Sequence, residues 1–568
     1  MDEPITEIAV GLHFGILCES LVFQRWQADA IRELQGSGHQ LTLLIMNQRW
    51  SDPAKPAAGK KAFFWSQAVF KCCHRYLFHP DAKKTVDLSE ELEGIPVVSC
   101  LVEQNGHSQY FGHEDVTGIR NHKLDFILRF GFGILRGDIL NAARYGIWSF
   151  HHDDELKYRG GPPGFWEIHS GDPVSGAILQ RLTERLDAGI ILKKGYLKTV
   201  AHSYSGNLDQ LLSVSASWPA LVADDIIAGR FEFPAPSATD ARVYKIPSNG
   251  KMITFLFRIF WNKLLFHLKE LFRAELWNVG IIHKPIHEIA LGNQPIQAAE
   301  VIWTREMSNS KYLADPAGFF DHDKLHILVE DYSYSKQYAT ISEVIWDSSR
   351  NSFSVPIRTI EGHHHLSYPF ILEHQKIIYC IPESYRDRNI GLYKRNFSEE
   401  AFIEEKILLK DVDAVDPTLI LYEQRWWLFF TIKKYSNTHL HIYYSDHLLG
   451  DFQPHAKNPV KIDIRSSRPA GTPFHHDGIL YRPAQDCTQT YGSRVVVNRI
   501  IKLTETEFEE VTVSTVEPVA KSRFSKGLHT LSAVGAYTLI DGKRFRFNGY
   551  YFKNQFRKKL TRKRNRDV

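Results

Sequence analysis

The sequence predicts two folded domains: an α/β domain at the start of the chain and, after it, an all-β domain built as a five-bladed β-propeller. Residues 1–230 alternate strand-like apolar runs with helical patterns, which is typical of an α/β fold around a parallel sheet. From about residue 277 onward, short β-rich runs separated by turn residues follow one another, with a repeat of about fifty residues. A chain of 568 residues is too long for a single hydrophobic core, which agrees with two large domains.

The α/β domain is predicted from the order of its elements. A first strand over 7–14 precedes a helix over 26–34, and a closing helix covers 209–228. Further strands are expected over 40–46, 95–102, 126–130 and 147–151. Together these elements place a parallel sheet within residues 1–230.

A linker that contains a helix, residues 231–276, comes after the first domain. Its first part carries Pro234, Pro236 and Pro247, and residues 251–276 place apolar side chains at helical spacing. The apolar positions are Phe255, Ile259, Phe260, Leu264, Leu268, Leu271 and Phe272, and the basic residues between them are Arg258, Lys263, Lys269 and Arg273. Two interpretations stay open: a helix packed between the two domains, or an amphipathic helix lying on a membrane surface.

The repeat defines the second domain, residues 277–552. Four copies each have a proline near the start, an apolar strand, a polar turn and a second strand; they cover 313–332, 366–385, 415–434 and 467–486. A weaker fifth copy covers 531–547. The blades of a propeller pack on their neighbours and leave no long sheet edge open, which fits such a repeat.

Charge and composition exclude several classes of protein. The formal net charge of +4 is small for 568 residues, so it does not favour nucleic acid as the main partner. Six cysteines show neither a CxxC pair nor zinc spacing, which favours a reduced compartment. We expect a cytoplasmic protein, because the first residues do not read as a secretory signal and no run has the ~20 uncharged apolar residues of a membrane span.

The basic tail, residues 553–568, adds an alternative location. It carries seven lysine and arginine residues within FRKKLTRKRNRDV. Such a run is usually disordered and solvated. It could also hold the protein near anionic lipid, at the inner face of the membrane.

Residues 124–192 carry the motifs from which the function is predicted. They contain LDFILRFGFGIL and SFHHDDELKYRGGPPGFWEIHSGDPVSGAILQRLTERLDAGIIL. This stretch resembles the catalytic core of the folate-dependent formyltransferases, which include methionyl-tRNA formyltransferase, glycinamide ribonucleotide formyltransferase and the sugar N-formyltransferases. That family carries Asn-x-His at a strand end, a loop ending in Arg-Gly before a Pro and a Trp, and a downstream Asp-x-Gly. The matching positions are His151, Arg159, Gly160, Pro163, Trp166, Gly176, Asp187 and Gly189.

The resemblance implies a Rossmann-like formyltransferase domain with 10-formyltetrahydrofolate as formyl donor. His151 is then the acid/base and oxyanion candidate, since the pKa of imidazole lies near neutrality, and Asp187 is its carboxylate partner. The family's Asn is replaced by Ser149, which offers one hydroxyl donor in place of two amide donors. The segment at which the family binds its pterin group corresponds to Phe130, Gly131, Phe132, Gly133, Ile134 and Leu135.

The acceptor is predicted from two regions, the loop after His151 and the chain beyond the first domain. The loop HHDDELKYRG lacks the apolar sequence of the tRNA enzymes, and no second domain of their type comes after it. The resemblance therefore favours an amino sugar, nucleotide- or lipid-linked, over Met-tRNA. The candidates for substrate contact are Asp153, Arg159, Gly160 and Trp166, and for Arg159 a structural role in shaping the loop is an equal alternative.

Acidic residues at repeated positions suggest a carbohydrate site in the second domain. The Asp-Pro and Tyr-Pro starts of the repeats, with glutamates after the second strands, resemble the propellers of glycoside hydrolase family 43 and a related domain in glycosyltransferases that act on inositol phospholipids. In such hydrolases two carboxylates cleave the glycosidic bond. The candidate acids are Asp315, Glu330, Glu383 and Asp416. Hydrolysis, glycosyl transfer and sugar binding without catalysis stay open.

Two other features of the second domain give weaker functional predictions. Trp426 and Trp427 could stack on a sugar, although strand alternation turns one of them into the core. His363, His364 and His365 are adjacent and not spaced for one metal face, so no metal site is expected.

Overall fold

The computed structural model describes residues 11–47, 65–185, 189–236, 239–292, 294–360 and 362–564. The chain divides into two compact units, Met1–Lys263 (unit 1) and Leu264–Val568 (unit 2).

Unit 1 is an α/β unit. Its strands are β1 His13–Cys18, β2 Val22–Gln24, β3 Gln40–Asn47, β4 Thr85–Asp87, β5 Val97–Cys100, β6 Glu103–Asn105, β7 Ser108–Tyr110, β8 Phe126–Arg129, β9 Ile134–Arg136, β10 Ile147–His151, β11 Arg159–Gly160, β12 Val174–Arg181, β13 Ile190–Lys198 and β14 Val243–Tyr244. Its helices are α1 Arg25–Gly36, α2 Ala68–Tyr76, α3 His113–Asn121, α4 Phe165–Ser170, α5 Tyr204–Ser215, α6 Trp218–Ile227 and the first part of α7 Asn249–Phe272.

A seven-stranded sheet in the order β13-β12-β10-β8-β1-β3-β5 forms the centre of unit 1. The strands β10, β8, β1, β3 and β5 run parallel, whereas β12 and β13 are antiparallel. Phe14, Ile16, Leu17, Phe126 and Ile127 are fully buried, as expected of parallel strands covered on both faces. The predicted α/β class of residues 1–230 is thus what the chain forms.

Two predicted elements of unit 1 differ from the structure. The first strand was expected over 7–14, but the strand described is His13–Cys18. The single closing helix over 209–228 is wrong, because two helices, α5 and α6, cover this region. Pro219 lies at the start of α6, and proline lacks the amide hydrogen that the interior of a continuous helix needs.

Unit 2 is almost entirely β-structure. Its strands are β15 Ala274–Ile282, β16 Val301–Trp303, β17 Lys311–Asp321, β18 Lys324–Ser333, β19 Tyr338–Asp347, β20 Ser352–Phe353, β21 Ile357–Ile360, β22 Ser367–His374, β23 Ile377–Glu383, β24 Asn389–Asn396, β25 Ala401–Lys410, β26 Ala414–Tyr422, β27 Arg425–Ile432, β28 His439–Ser445, β29 Gln453–Pro454, β30 Lys461–Ile462, β31 Phe474–His476, β32 Ile479–Asp486, β33 Arg494–Leu503, β34 Phe508–Val516, β35 Leu531–Val534 and β36 Tyr537–Arg546. Its own helices are α8 Ile286–Leu291 and α9 Gly549–Arg564.

The described strands of unit 2 form five antiparallel sheets. Four are in chain order, β17–β21, β22–β25, β26–β30 and β31–β34, and the fifth joins both ends of the unit in the order β16-β15-β36-β35. This confirms the all-β class, and the five-bladed arrangement stays a prediction.

The proline near the start of three repeats marks a bulge. Asp315, Tyr368 and Asp416 each precede a proline and have positive φ angles of 51°, 45° and 52°. The pairing register with the next strand shifts at each of these positions. A bulge re-aims the side chain at its corner, so three equivalent side chains leave the regular alternation of their strands.

The helix α7 contains the change from unit 1 to unit 2, between Lys263 and Leu264. In unit 1 its residues Met252 and Phe255 are buried, and Phe255 stacks on Phe165 with ring centroids 4.0 Å apart. In unit 2, Phe272 stacks on Phe552 of α9.

The expected disorder of the basic tail 553–568 is corrected through residue 564, which belongs to α9. Packing of Phe552 on Phe272, with a 2.9 Å salt bridge between Lys559 Nζ and Glu270 Oε2, stabilises this helix. No helix within the described ranges is both long and apolar enough to cross a bilayer.

Candidate functional site

A pocket of about 160 Å³ lies at the carboxyl end of β10 in unit 1. Five predicted residues line it: Ser149 and His151 from β10, and Gly133, Ile134 and Leu135 from the segment before and within β9. The structure therefore brings the predicted oxyanion and acid/base candidates to the same cavity as half of the predicted pterin segment. Phe130, Gly131 and Phe132 do not line this pocket, and Phe130 packs against Trp26 and Phe150 instead.

Arg129, at the end of β8, is a pocket residue to which sequence reasoning gave no role. Its Nη1 donates to Ser149 Oγ at 3.0 Å, and its Nη2 donates to the carbonyl oxygens of Phe132 and Gly133 at 2.8 Å each. Nε has no hydrogen-bond partner within the described part of the chain. Burial lowers the pKa of the guanidinium from its usual value, although arginine stays charged in proteins. The pocket thus has a partly buried cation in its wall, bonded to a hydroxyl and to two backbone carbonyl oxygens.

Arg129 changes the role of Ser149. The Ser149 side chain is buried, and its oxygen accepts the bond from Arg129. Its hydroxyl hydrogen is therefore free to point at a group in the pocket. A guanidinium and a hydroxyl therefore lie side by side in the wall of the pocket. The signal in the sequence was the position of Arg129 at the head of RFGFGIL, a polar residue closing an apolar strand.

His151 stands at the pocket with its imidazole partly exposed. Its Nε2 is 3.4 Å from the carbonyl oxygen of Tyr158 and 3.9 Å from Asp153 Oδ2. The predicted partner, Asp187, lies outside the described residues, so that pairing stays a prediction. Gly189, two residues further on, lines the pocket, and a Cβ there would come within 2.3 Å of Gln180 Oε1.

The predicted acceptor residues do not line the pocket. Arg159 Nη1 donates to the carbonyl oxygens of Thr239 and Ala241, which supports the structural alternative for this residue. A Cβ on Gly160 would lie 2.1 Å from the carbonyl oxygen of Tyr244, so glycine is required where β11 meets β14.

Asp153 and Trp166 are held inside unit 1. Trp166 Nε1 donates to the carbonyl oxygen of Gly161. Asp153 is 2% exposed and accepts a bond from the amide of Gly164 at 2.8 Å. Burial and the charge of Glu167 raise its pKa well above the usual value, and burial raises the pKa of Glu167 to about 8. Asp153 thus forms a buried acid pair with Glu167 next to His151, and its contact with the acceptor stays a prediction.

A second polar cluster lies in unit 2, where the four predicted acids converge. All four are less than 10% exposed, and they come from β17, β18, β23 and β26: Asp315, Glu330, Glu383 and Asp416. Burial and, after it, the charge of Asp315 raise the pKa of Glu330 well above its usual value. Burial and the charge of Asp416 raise the pKa of Glu383 to about 8. Glu383 is therefore expected to carry a proton at neutral pH.

Each aspartate of this cluster has a cationic partner. Arg468 contacts both carboxylate oxygens of Asp416, at 2.6 and 3.1 Å, and Gln485 Nε2 donates to the same carboxylate at 2.8 Å. His529 Nε2 lies 3.0 Å from Asp315 Oδ1, and its Nδ1 lies 2.6 Å from Asp541 Oδ2. Sequence reasoning missed these partners, because Arg468 lies 52 residues away from Asp416 along the chain and His529 is still further from Asp315.

The trio Asp315, His529 and Asp541 also has a spacing that a metal ion could use. Burial alone would lower the pKa of His529, but the two carboxylates raise it well above its usual value. Distances of 2.6 and 3.0 Å from its two ring nitrogens to the carboxylate oxygens are those of close ion pairs. A protonated imidazole between two carboxylates accounts for this geometry.

The acid cluster is closely packed. The cavity next to Asp315 measures about 10 Å³, room for about one water molecule. The stacking role considered for Trp426 and Trp427 is corrected, since both side chains are buried and only 6% and 3% exposed. The three adjacent histidines do not form a metal cluster among the described residues; His365 instead lies 3.7 Å from Glu330.

Comparison with known proteins finds two kinds of similarity. Residues 258–534 match the family model "Glucosamine inositolphosphorylceramide transferase 1, N-terminal". The rice (Oryza sativa subsp. japonica) protein of that name is 33% identical over 223 residues, 38% of this chain and 30% of the relative. The chain thus spans less than a third of that relative.

A second similarity is to the formyltransferases. Methionyl-tRNA formyltransferase of Prochlorococcus marinus (strain AS9601) is 23% identical over 207 residues, 35% of this chain and 60% of the relative. Among solved structures, a family 117 glycoside hydrolase of Zobellia galactanivorans covers 49% of this chain and 91% of its own, at 12% identity and a TM-score of 0.31, a likeness too weak to assign the fold. The relatives found by sequence are transferases.

Proposed function

We propose that unit 1 transfers a formyl group from 10-formyltetrahydrofolate to the amine of a sugar-containing acceptor. The observation that carries this proposal is the pocket at the end of β10, where Ser149, His151 and the segment 133–135 meet the partly buried cation Arg129. The similarity to methionyl-tRNA formyltransferase supports the type of reaction.

The roles of the residues are set by the reaction. The amine attacks the formyl carbon, a new C–N bond forms, and the bond from that carbon to the folate nitrogen breaks. His151 takes the proton that the amine loses and returns one to the departing nitrogen. Arg129 and the hydroxyl of Ser149 donate to the oxygen that becomes negative in the tetrahedral intermediate.

The pocket, as lined by the described residues, fits one end of the formyl donor. Their cavity of about 160 Å³ is smaller than the 300–1,000 Å³ of a typical ligand pocket, so it suits a fused ring and leaves the rest of the donor outside. The backbone of Gly133, Ile134 and Leu135 would hold the ring. Arg136 and Arg185, also at the pocket, suit the carboxylates of the donor's tail.

The kind of acceptor is proposed from the name of a relative and from the loop after His151. The name of the rice relative mentions glucosamine and an inositol-containing lipid. An amino sugar, nucleotide- or lipid-linked, agrees with that name and with the polar loop after His151.

Calorimetry with 5-formyltetrahydrofolate, a stable analogue of the donor, tests the folate site. We expect micromolar binding by the full chain, weakened at least about tenfold in Asp187→Ala if this carboxylate contacts the donor. His122→Ala, which changes an exposed histidine of unit 1, is the control and should bind as the unchanged protein does. Absence of binding by the unchanged protein would refute folate-dependent transfer, whatever the acceptor.

A second candidate function is carbohydrate chemistry or binding in unit 2, as a glycoside hydrolase, a glycosyl-transfer enzyme or a non-catalytic binding module. The convergence of four acids, two of them with raised pKa values, favours it. Glu330→Gln should abolish glycan hydrolysis or glycan binding and leave folate binding unchanged. Glycan turnover that persists in Glu330→Gln and in Glu383→Gln would exclude this cluster as the site.

A further inference from the structure

The helix α7 has two apolar faces, and only one of them is covered. Met252 and Phe255 face the core of unit 1. On the other side a continuous stripe stays exposed at helical spacing, with 40–71% of each side chain accessible: Phe257, Phe260, Trp261, Leu264, Leu268 and Phe272. Exposed apolar patches of this kind mark interaction surfaces.

Basic residues border this stripe. At 100° per residue, Arg258 and Lys269 lie along one edge of the stripe and Lys263 along the other. Arg258 is held in place by the carbonyl oxygen of His169, to which its Nη1 donates at 2.6 Å. An aromatic stripe between basic edges is the pattern of a helix that lies in the plane of a membrane interface.

The helix α9 extends the same chemistry within unit 2. It packs on the last turn of α7 through Phe552 and Phe272, and it exposes Phe556 and Leu560 beside the basic Arg557. Together α7 and α9 contain eleven lysine and arginine residues and one acid, Glu270, which pairs with Lys559. The rest of the chain is net negative, since the whole carries only +4. The positive charge is thus concentrated where the apolar side chains are exposed.

We propose that the exposed faces of α7 and α9 dock the protein on an anionic lipid surface. The stripe inserts at the level of the headgroups, and the basic residues contact the lipid phosphates. Concentrated positive charge selects a negatively charged bilayer over a neutral one, and over a second copy of the same positively charged face. This proposal does not depend on the reaction that either unit performs.

Sedimentation of the full chain with liposomes tests the proposal. We expect binding to phosphatidylcholine vesicles that contain an anionic lipid and not to pure phosphatidylcholine vesicles, with loss of binding as salt is raised. The triple variant Phe257→Ser, Phe260→Ser, Trp261→Ser should lose binding at least about tenfold, and so should Arg557→Glu with Lys558→Glu. Val511→Ser with Val513→Ser, exposed apolar residues of β34, is the matched control.

Fluorescence locates the docked residue. Brominated lipids should quench tryptophan emission in the unchanged protein, and Trp261→Phe should remove that quenching. Unchanged liposome binding by the triple variant would overturn the assignment to α7. A dimer in solution that the triple variant converts to a monomer, without liposome binding by either protein, would assign the stripe to a second copy of the chain instead.

Discussion

The pocket of unit 1 and the acid cluster of unit 2 each contain a partly buried arginine, and the two arginines have different partners. Arg129 lines a cavity of about 160 Å³ and donates to the hydroxyl of Ser149 and to two backbone carbonyl oxygens. Arg468 contacts both carboxylate oxygens of Asp416. A cation paired with a carboxylate stabilises the folded arrangement, whereas a cation with neutral partners in the wall of a pocket keeps an uncompensated charge for a bound group.

The largest effect is expected from His151→Ala. Removal of a general acid/base lowers the rate by about 10²–10⁴-fold, so formyl transfer to an acceptor amine should fall by that factor. Single-turnover kinetics with the formylated donor measure it. Folate binding should change much less, and a loss under tenfold would remove His151 from the chemistry.

Arg468→Met should act on stability. It leaves Asp416 buried without its cation, which costs about 3–5 kcal/mol. Denaturant unfolding should show a lower midpoint for the transition of unit 2, with that of unit 1 as the internal control. An unchanged midpoint would mean that Asp416 is not the paired, structural anion that its geometry indicates.

Glu383→Gln should change the pH dependence of unit 2. The folded protein keeps the Glu383 proton up to a pKa of about 8, whereas the unfolded chain releases it near pH 4.5, so this group lowers stability as pH rises between these values. Glutamine carries no proton to release and can still accept from the Asp416 amide. The variant should therefore gain stability relative to the unchanged protein as pH rises from 4.5 to 8, measured by denaturant unfolding. Parallel pH profiles would refute a raised pKa.

Arg129→Lys should have the smallest effect of the four, on activity alone. Lysine keeps the charge but cannot contact Ser149 and two carbonyl oxygens from one planar group. Losing one oxyanion donor costs about 10²–10³-fold in rate, and the retained charge should keep the loss near the lower value. A matched exchange outside the pocket, Arg144→Lys at an exposed side chain of unit 1, should leave the rate nearly unchanged. Equal losses in both variants would deny Arg129 a special role.

Local patterns in the sequence correctly predicted several single helices and strands. The strand over 147–151 coincides with β10, and the helix predicted over 26–34 lies within α1 Arg25–Gly36. Ser149 and His151 end β10, and the segment 133–135 follows β8. These residues share a pocket because β8 and β10 are neighbouring parallel strands, whose carboxyl ends lie side by side. The burial of Asp153 could not be predicted, because the sequence of a loop does not show what packs against it.

The sequence by itself determined the α/β and all-β halves, the four acids and the order of the formyltransferase-like motifs, since periodicity and short motifs are written in neighbouring residues. Only the tertiary structure decided that Arg129 serves Ser149, that His529 and Arg468 neutralise Asp315 and Asp416, and that α7 keeps an apolar face uncovered. These pairings join residues far apart in the chain, and burial depends on what packs against a residue, which no local pattern records.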